Sequence, residues 1–160
     1  MDEWGPGKFH GEAMRFVLDG GLLSGALDIT YAWVFWWLKR GLSPARIFQS
    51  VAAGLLGRAS FQGGARTAAL GLALHFFIAL SMAAAYYFVA RRWPLLWRRP
   101  VPCGLAYGLL LYAVMTHVVV PLSAAGPGSK DPVWIALSVL VHMALIGLPI
   151  ALFTRRALRS

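Results

Sequence analysis

The sequence predicts an all-α membrane protein: four transmembrane helices, with one interfacial amphipathic helix between the first and second. Three observations predict it. Of 160 residues, 59% are apolar and 13% charged, and mean hydropathy is +0.64; an ordinary soluble domain carries about 25% charge. Four apolar runs each approach the ~20 residues a helix needs to cross hydrocarbon. The cations sit in the gaps between those runs, as Lys39-Arg40, Arg91-Arg92, Arg98-Arg99 and Arg155-Arg156. That is the placement of helix-end anchors and topology signals. Runs and gaps together use residues 1–160 as a single membrane domain.

The first span is expected over 16–38. It closes on Trp33, Trp36 and Trp37, followed by Lys39 and Arg40, the order of aromatic rings and then positive heads found at a bilayer surface. The polar residues before it, with Trp4 and Phe9, read as a loose lead touching the interface. Asp2, Glu3 and Glu12 stand there against Lys8, which is not a signal peptide's basic start, so the run reads as a retained helix. Ser43-Pro44 then supplies a capping hydroxyl and a Pro at the first helical position. Ile47, Phe48, Val51, Ala52, Leu55 and Leu56 follow on one face at helical spacing, with Gln49 among the polar remainder. Arg46 and Arg58 leave too short an apolar stretch to span, so a helix over about 44–60 is expected to lie in or dip into the interface, ending at Gly63-Gly64.

The second span is expected over 67–90, stopped by Arg91-Arg92-Trp93-Pro94. The third is expected over 103–120, stopped by Pro121 and carrying Gly104-x-x-x-Gly108, a spacing that permits close helix contact. The fourth is expected over 133–153, with Trp134 at its entrance and a bend at Pro149.

Four spans put the N-terminus, the 91–102 loop and the C-terminus on one side. That side holds nine Lys and Arg against six on the other. The positive-inside rule then places both termini in the cytoplasm. The net charge of +9 is spread over helix ends rather than gathered on a folded groove-reading surface, which argues against nucleic acid as a partner and for the lipid bilayer. Cys103 is the only cysteine, so no internal disulfide or thiolate cluster is available. Tyr86 and Tyr87 read as interface anchors. Ser60, Ser81 and Ser138 lack catalytic neighbours and read as hydroxyls bonding back to helix carbonyls, so nothing marks an enzyme.

Four ionisable residues fall inside the expected spans: Asp28, His75, His117 and His142. Such groups are costly in hydrocarbon and by default face the bundle interior. At 1.5 Å per residue, measured from the side carrying residues 41–66, Asp28 lies ~15 Å deep, His142 ~13 Å, His75 ~12 Å and His117 ~6 Å. Each shares a stripe with small residues: Gly21, Gly25 and Asp28; Gly71, His75 and Ala79; Ala106, Ala113 and His117; Ser138 and His142. Small residues mark where membrane helices pack closely, so the four are expected to meet in the bundle centre. An Asp beside imidazoles could relay protons. His75 and His142 could be axial ligands to a haem, or three histidines with Asp28 could hold a divalent metal. No spacing motif selects a cofactor, so none is assigned. The bland alternative is that each polar side chain bonds across a helix interface, as in a structural or assembly partner. No internal repeat is evident, and transporters of the inverted-repeat kind need more helices, so a homo-oligomer is expected if anything is carried.

The order His75, Tyr86, Arg91-Arg92-Trp93-Pro94, Gly104-x-x-x-Gly108, His117, Pro121-Leu122, Gly126-Pro127, Trp134 and His142 resembles the YagU-like family of small bacterial inner-membrane proteins. Gly21-Leu22-Leu23-Ser24-Gly25 is similar to that family's opening helix. The likeness covers roughly residues 17–150 and carries no catalytic motif. It implies an inner-membrane location and a part in acid or envelope stress.

Overall fold

The computed structural model describes residues 6–159, with side chains from residue 11 onward. The expected interface contacts of Trp4 and Phe9 lie outside the described side chains. All secondary structure among the described residues is helical. Helix α1 covers Pro6–Arg40 and α2 Pro44–Leu56, followed by a 3₁₀ turn at Gly57–Gln62. Helix α3 covers Gly64–Arg92, and α4 is the short Leu95–Arg98 turn. Helix α5 covers Pro100–Leu122, and α6 Pro132–Ala157.

Three of these, α3, α5 and α6, are long and apolar enough to cross a membrane. The expectation of four meets three here. In α1 the apolar run is diluted by Asp28 and by the Gly, Ser, Thr, Tyr and Trp residues around it. Only 22%, 11% and 28% of the most apolar stretches of α3, α5 and α6 is buried within the molecule. Phe77, Phe88, Leu110 and Leu140 point outward, each more than half exposed.

Local chemistry sets the boundaries. Gly41 ends α1 at φ +66°, its N–H bonding Trp37 O at 2.8 Å. Ser43 Oγ caps α2 by accepting from Arg46 N at 3.4 Å. The helix stops earlier than expected, because Gly57 sits at φ +58° and returns its N–H to Ala53 O. That left-handed geometry suits glycine and ends an α-helix. The rest of the 44–60 segment continues as the 3₁₀ turn. Asp131 caps α6, its Oδ1 accepting from Val133 N and Trp134 N at 3.0 Å each.

Both prolines expected to stop or bend a span lie inside helices, each just after a π turn. Met115–Val119 precedes Pro121 and His142–Gly147 precedes Pro149. Proline lacks an N–H and its ring crowds the carbonyl four residues back. Opening the turn to an i→i+5 spacing relieves that crowding, and the helix continues.

Close helix–helix contacts hold α1, α3, α5 and α6 together. On α1, a Cβ at Gly21 would lie 2.9 Å from Leu80 of α3, and one at Gly20 2.8 Å from Phe153 of α6. Ser24, fully buried, donates Oγ–H to Ile146 O at 3.2 Å. The expected close contact at Gly104 and Gly108 is made within the chain, against Gly147 and His142 of α6. Between α3 and α5 the tie is at one level, where Tyr107 donates its hydroxyl to Met82 O at 2.8 Å and its ring meets that of Tyr86. Ile150, Ala151 and Ala90 sit fully or almost fully buried at this end of the molecule, beside Val17, Leu111 and Tyr86. This end, holding the end of α3 and the start of α5, is called the lower end below.

Two side chains behave differently from expectation. Tyr86, read as an interface anchor, is 3% exposed, and its hydroxyl donates to Leu96 O at 3.0 Å. It belongs to the same buried cluster as Ala83, Ala90 and Ala151. Tyr86→Phe removes one buried hydrogen bond and should lower stability by about 1 kcal/mol, measured as melting temperature in detergent. Gln49, read as part of the polar face, is buried, and its amide donates to Gly64 O at 3.0 Å. This follows from how α2 lies across the start of α3: the Phe48 carbonyl presses against Gly71, where a Cβ would come within 1.8 Å of it.

Candidate functional site

Above the core the α3–α5 seam stays open, and a cavity of about 830 Å³ occupies the upper half of the bundle. Ser24, Gly25 and Asp28 of α1, His75 and Met82 of α3, Tyr112 and Met115 of α5, and Ser138 and His142 of α6 line it. Residues 126–130 and Trp134 line its mouth, and Val51 of α2 contributes one wall position. Met82 and Ile146 line its inner end, where the lower core begins.

Three of the four expected residues meet here. Asp28 lies within electrostatic reach of both His142 and His75. His75 Nε2 is 2.8 Å from Gly25 O, and His142 Nδ1 is 2.9 Å from Ser138 O. A carbonyl can only accept, so the bonded ring nitrogen carries the proton in each case. In the neutral rings His75 Nδ1 and His142 Nε2 are therefore bare acceptors. The Asp28 carboxylate makes no hydrogen bond or ion pair with the other described residues. Tyr112 stands edge-on to the His142 ring at 5.4 Å.

His117 does not join them; it is exposed and outside the cavity lining. The reason lies on α5, where two small-residue stripes compete. Gly104 and Gly108 allow backbone contact with α6 and take the inner face. His117 is nine residues from Gly108, about 180° around a helix, so the Ala106, Ala113 and His117 stripe faces outward. Comparing glycine with alanine stripes would have shown this from sequence. Among the described residues no three His, Cys, Asp or Glu side chains come together as metal ligands, and His117 stands apart from the Asp28, His75 and His142 group. For a haem between His75 and His142, the bond from His75 Nε2 to Gly25 O would leave only Nδ1 of that ring. His117→Ala should leave melting temperature and any cavity-dependent activity unchanged.

The π turn at His142–Gly147 helps build the site. Ser138, His142, Ile146 and Ile150 all face inward at spacings of four. A regular α-helix drifts ~40° per such step; the widened turn absorbs an extra residue and reduces the drift. Ser138, read as bonding back to a helix carbonyl, instead pairs with Tyr31 Oη at 3.3 Å. Ser81 does bond back, donating to Phe77 O at 2.7 Å, while Ser60 Oγ is buried without a partner.

Tyr31 also stacks on Trp134 at 5.2 Å and 8°, and Phe35 and Trp36 pack around the same indole. Above them Lys39 forms an ion pair with Asp131. The hydrogen bond from Lys39, with backbone N–H bonds from Trp134 and Val133, holds the Asp131 carboxyl below its ordinary titration range. A carboxyl whose folded pKa is depressed adds stability above its unfolded pKa and loses it as pH falls through the folded value. This pair should therefore contribute unchanged from pH 7 to pH 5 and fade below about pH 4. Melting curves of the parent and Lys39→Met should differ above pH 5 and converge in that acid range.

Comparison with family models, with curated proteins and with solved structures finds no match.

Proposed function

We propose that the chain crosses a bilayer four times and carries a proton- or cation-binding site, linked to transport, at Asp28, His75 and His142. The observation that carries this reading is the convergence of one carboxylate and two imidazoles, from three helices, on a cavity with a closed inner end. A charge inside a bundle of mostly apolar helices is retained against its desolvation cost, which favours a role in handling charge.

The fourth span in this reading is α1. Its 35 residues extend ~52 Å, enough for the full thickness, and it packs between α3 and α6. Asp28 turns to the cavity, and Trp33, Trp36, Trp37, Lys39 and Arg40 fall at one surface. Helix α2 then lies at that same surface. The outward Phe and Leu side chains of α3, α5 and α6 meet lipid. Lysine and arginine counts favour cytoplasmic termini, so the cavity mouth faces the far side. The likeness to the YagU-like family adds a bacterial inner membrane and a part in acid or envelope stress.

The test is flux. Purified protein in liposomes under an imposed pH gradient should show protein-dependent proton movement, read by an internal pH dye. The double variant His75→Phe, His142→Phe should abolish it; flux equal to the parent's would rule the reading out. Reporters fused at each terminus should both read cytoplasmic.

A further inference from the structure

We infer that the cavity at Asp28, His75 and His142 takes an amphipathic organic ammonium ion, exchanged against a proton. This rests on the proposed charge-binding role of the same site and adds the class of its substrate.

The first observation is size. A relay for a bare proton or small ion needs a file of polar groups, not about 830 Å³ of space. That volume falls among pockets for drug-sized molecules, which are mainly apolar with a few placed polar groups. The walls fit that description: Val51, Ile78, Met82, Met115, Ile135 and Trp134 are apolar or aromatic. Met82 and Met115 are unbranched and adapt to different shapes.

The second is hydrogen-bond inventory. The two histidines spend their N–H groups on Gly25 O and Ser138 O. With both rings neutral, what they and Asp28 leave unpaired are acceptors. A ligand complementary to three acceptors brings donors, and a positive charge offsets the carboxylate. An alkyl- or arylammonium head does both, while its apolar tail meets the methionines and the indole. The edge-on Tyr112 and the Trp134 ring add aromatic surface of the kind that attracts cations.

The third is access. The α3–α5 seam is tied at the Tyr107–Met82 level and left open above it. A lipophilic amine dissolved in a bilayer could enter sideways there, or from the 126–130 loop.

A proton and an ammonium compete for one carboxylate. When the protonated carboxyl takes the ligand, its O–H bond breaks, the proton leaves to solvent, and an ammonium N–H takes its place. The groups facing Asp28 across the cavity are His75 from α3, Tyr112 from α5 and His142 from α6, with Lys130 at the mouth and Tyr31 within electrostatic reach on its own helix; α2 presents only Val51. Apparent affinity should therefore fall as pH falls.

The probe is 1-naphthylmethylamine, titrated calorimetrically into the full chain in detergent, with detergent alone as blank. Saturable binding is expected, at least tenfold tighter than for uncharged 1-naphthylmethanol, with the N,N,N-trimethyl analogue, which has no N–H donor, in between. Asp28→Asn should weaken the amine at least tenfold, Asp28→Glu only a few-fold, and His117→Ala not at all. Equal binding of amine and alcohol, undiminished binding in a folded Asp28→Asn variant, or no saturable binding overturns the inference. Because amine and alcohol are compared on the parent protein, the outcome does not depend on any variant folding. Proton flux without amine binding overturns this inference alone. Amine binding without flux supports the ligand class and removes the transport reading.

Discussion

Gly147→Val is expected to keep the chain from forming a stable bundle. A Cβ at Gly147 would lie 2.1 Å from Gly104 O, 2.5 Å from Gly108 N and 2.7 Å from Gly108 Cα. All three are backbone atoms, so no side chain can rotate out of the way; α5 and α6 must separate. Separation also dissolves the contacts of Gly104 with Ala151 and of Gly108 with His142 along the same seam. Overpacking ordinarily costs 1–3 kcal/mol where side chains can adjust. Here the adjustment is a whole-helix shift, so a loss of about 3 kcal/mol or more is expected. Gly54→Ala is the contrast. The nearest atom to its Cβ would be Ser123 Cβ at 3.9 Å, and alanine favours a helix over glycine by about 1 kcal/mol. Melting temperature should drop sharply, with loss of monodisperse protein, for Gly147→Val, and hold or rise for Gly54→Ala. If Gly147→Val melts with the parent, the close α5–α6 approach does not exist.

Asp28→Asn is expected to abolish gradient-driven flux, by at least tenfold, while raising stability. The two effects have one cause. The carboxylate sits without a hydrogen-bond partner among the described residues, in a cavity it shares with His75 and His142, whose ring N–H groups are spent on Gly25 O and Ser138 O. Asparagine has the same shape but no charge to desolvate, and its amide brings donors to a site short of them. One new hydrogen bond is worth about 1 kcal/mol. Gains of this kind are what functional sites forgo. Flux assays and melting curves on the same preparation should move in opposite directions. A variant that loses flux and stability together would make Asp28 a packing residue.

Much of this was legible in the sequence because its signals are local. The cap at Ser43-Pro44, the glycine spacing at 104 and 108, and the aromatic belt before Lys39 are each set by a few neighbouring residues. The faces of α1, α3 and α6 were also readable, since Gly25, Ala79 and Ser138 share sides with Asp28, His75 and His142. What stayed hidden depends on partners distant in the chain. Gln49 looks solvated until Gly64 O is placed beside it, and Tyr86 looks interfacial until Leu96 O folds back over it. His117 reads as inward only while Ala and Gly count alike as small residues; the glycines, which let backbones touch, decide the face. Pro121 and Pro149 read as stops or bends because nothing in the sequence announces a widened turn ahead of them.

Those two widened turns also have a mechanical consequence. Residues 115–147, from the top of α5 through the connecting loop to the middle of α6, begin and end where the regular backbone ladder is interrupted. Bending costs least at such points. This hairpin tip carries Met115, Trp134, Ser138 and His142, much of one wall of the cavity. It is fastened to the remainder by Lys39 to Asp131, by Tyr31, Phe35 and Trp36 around Trp134 and Ser138, by Ala124 N to Gly54 O, and most tightly by Ser24 to Ile146 O and the seam of Gly104 and Gly108 against His142 and Gly147. Any give at the two turns therefore falls on the tip beyond that seam, where residues 126–130 border the cavity, while His142, Gly147, Ile150 and Ala151 stay locked.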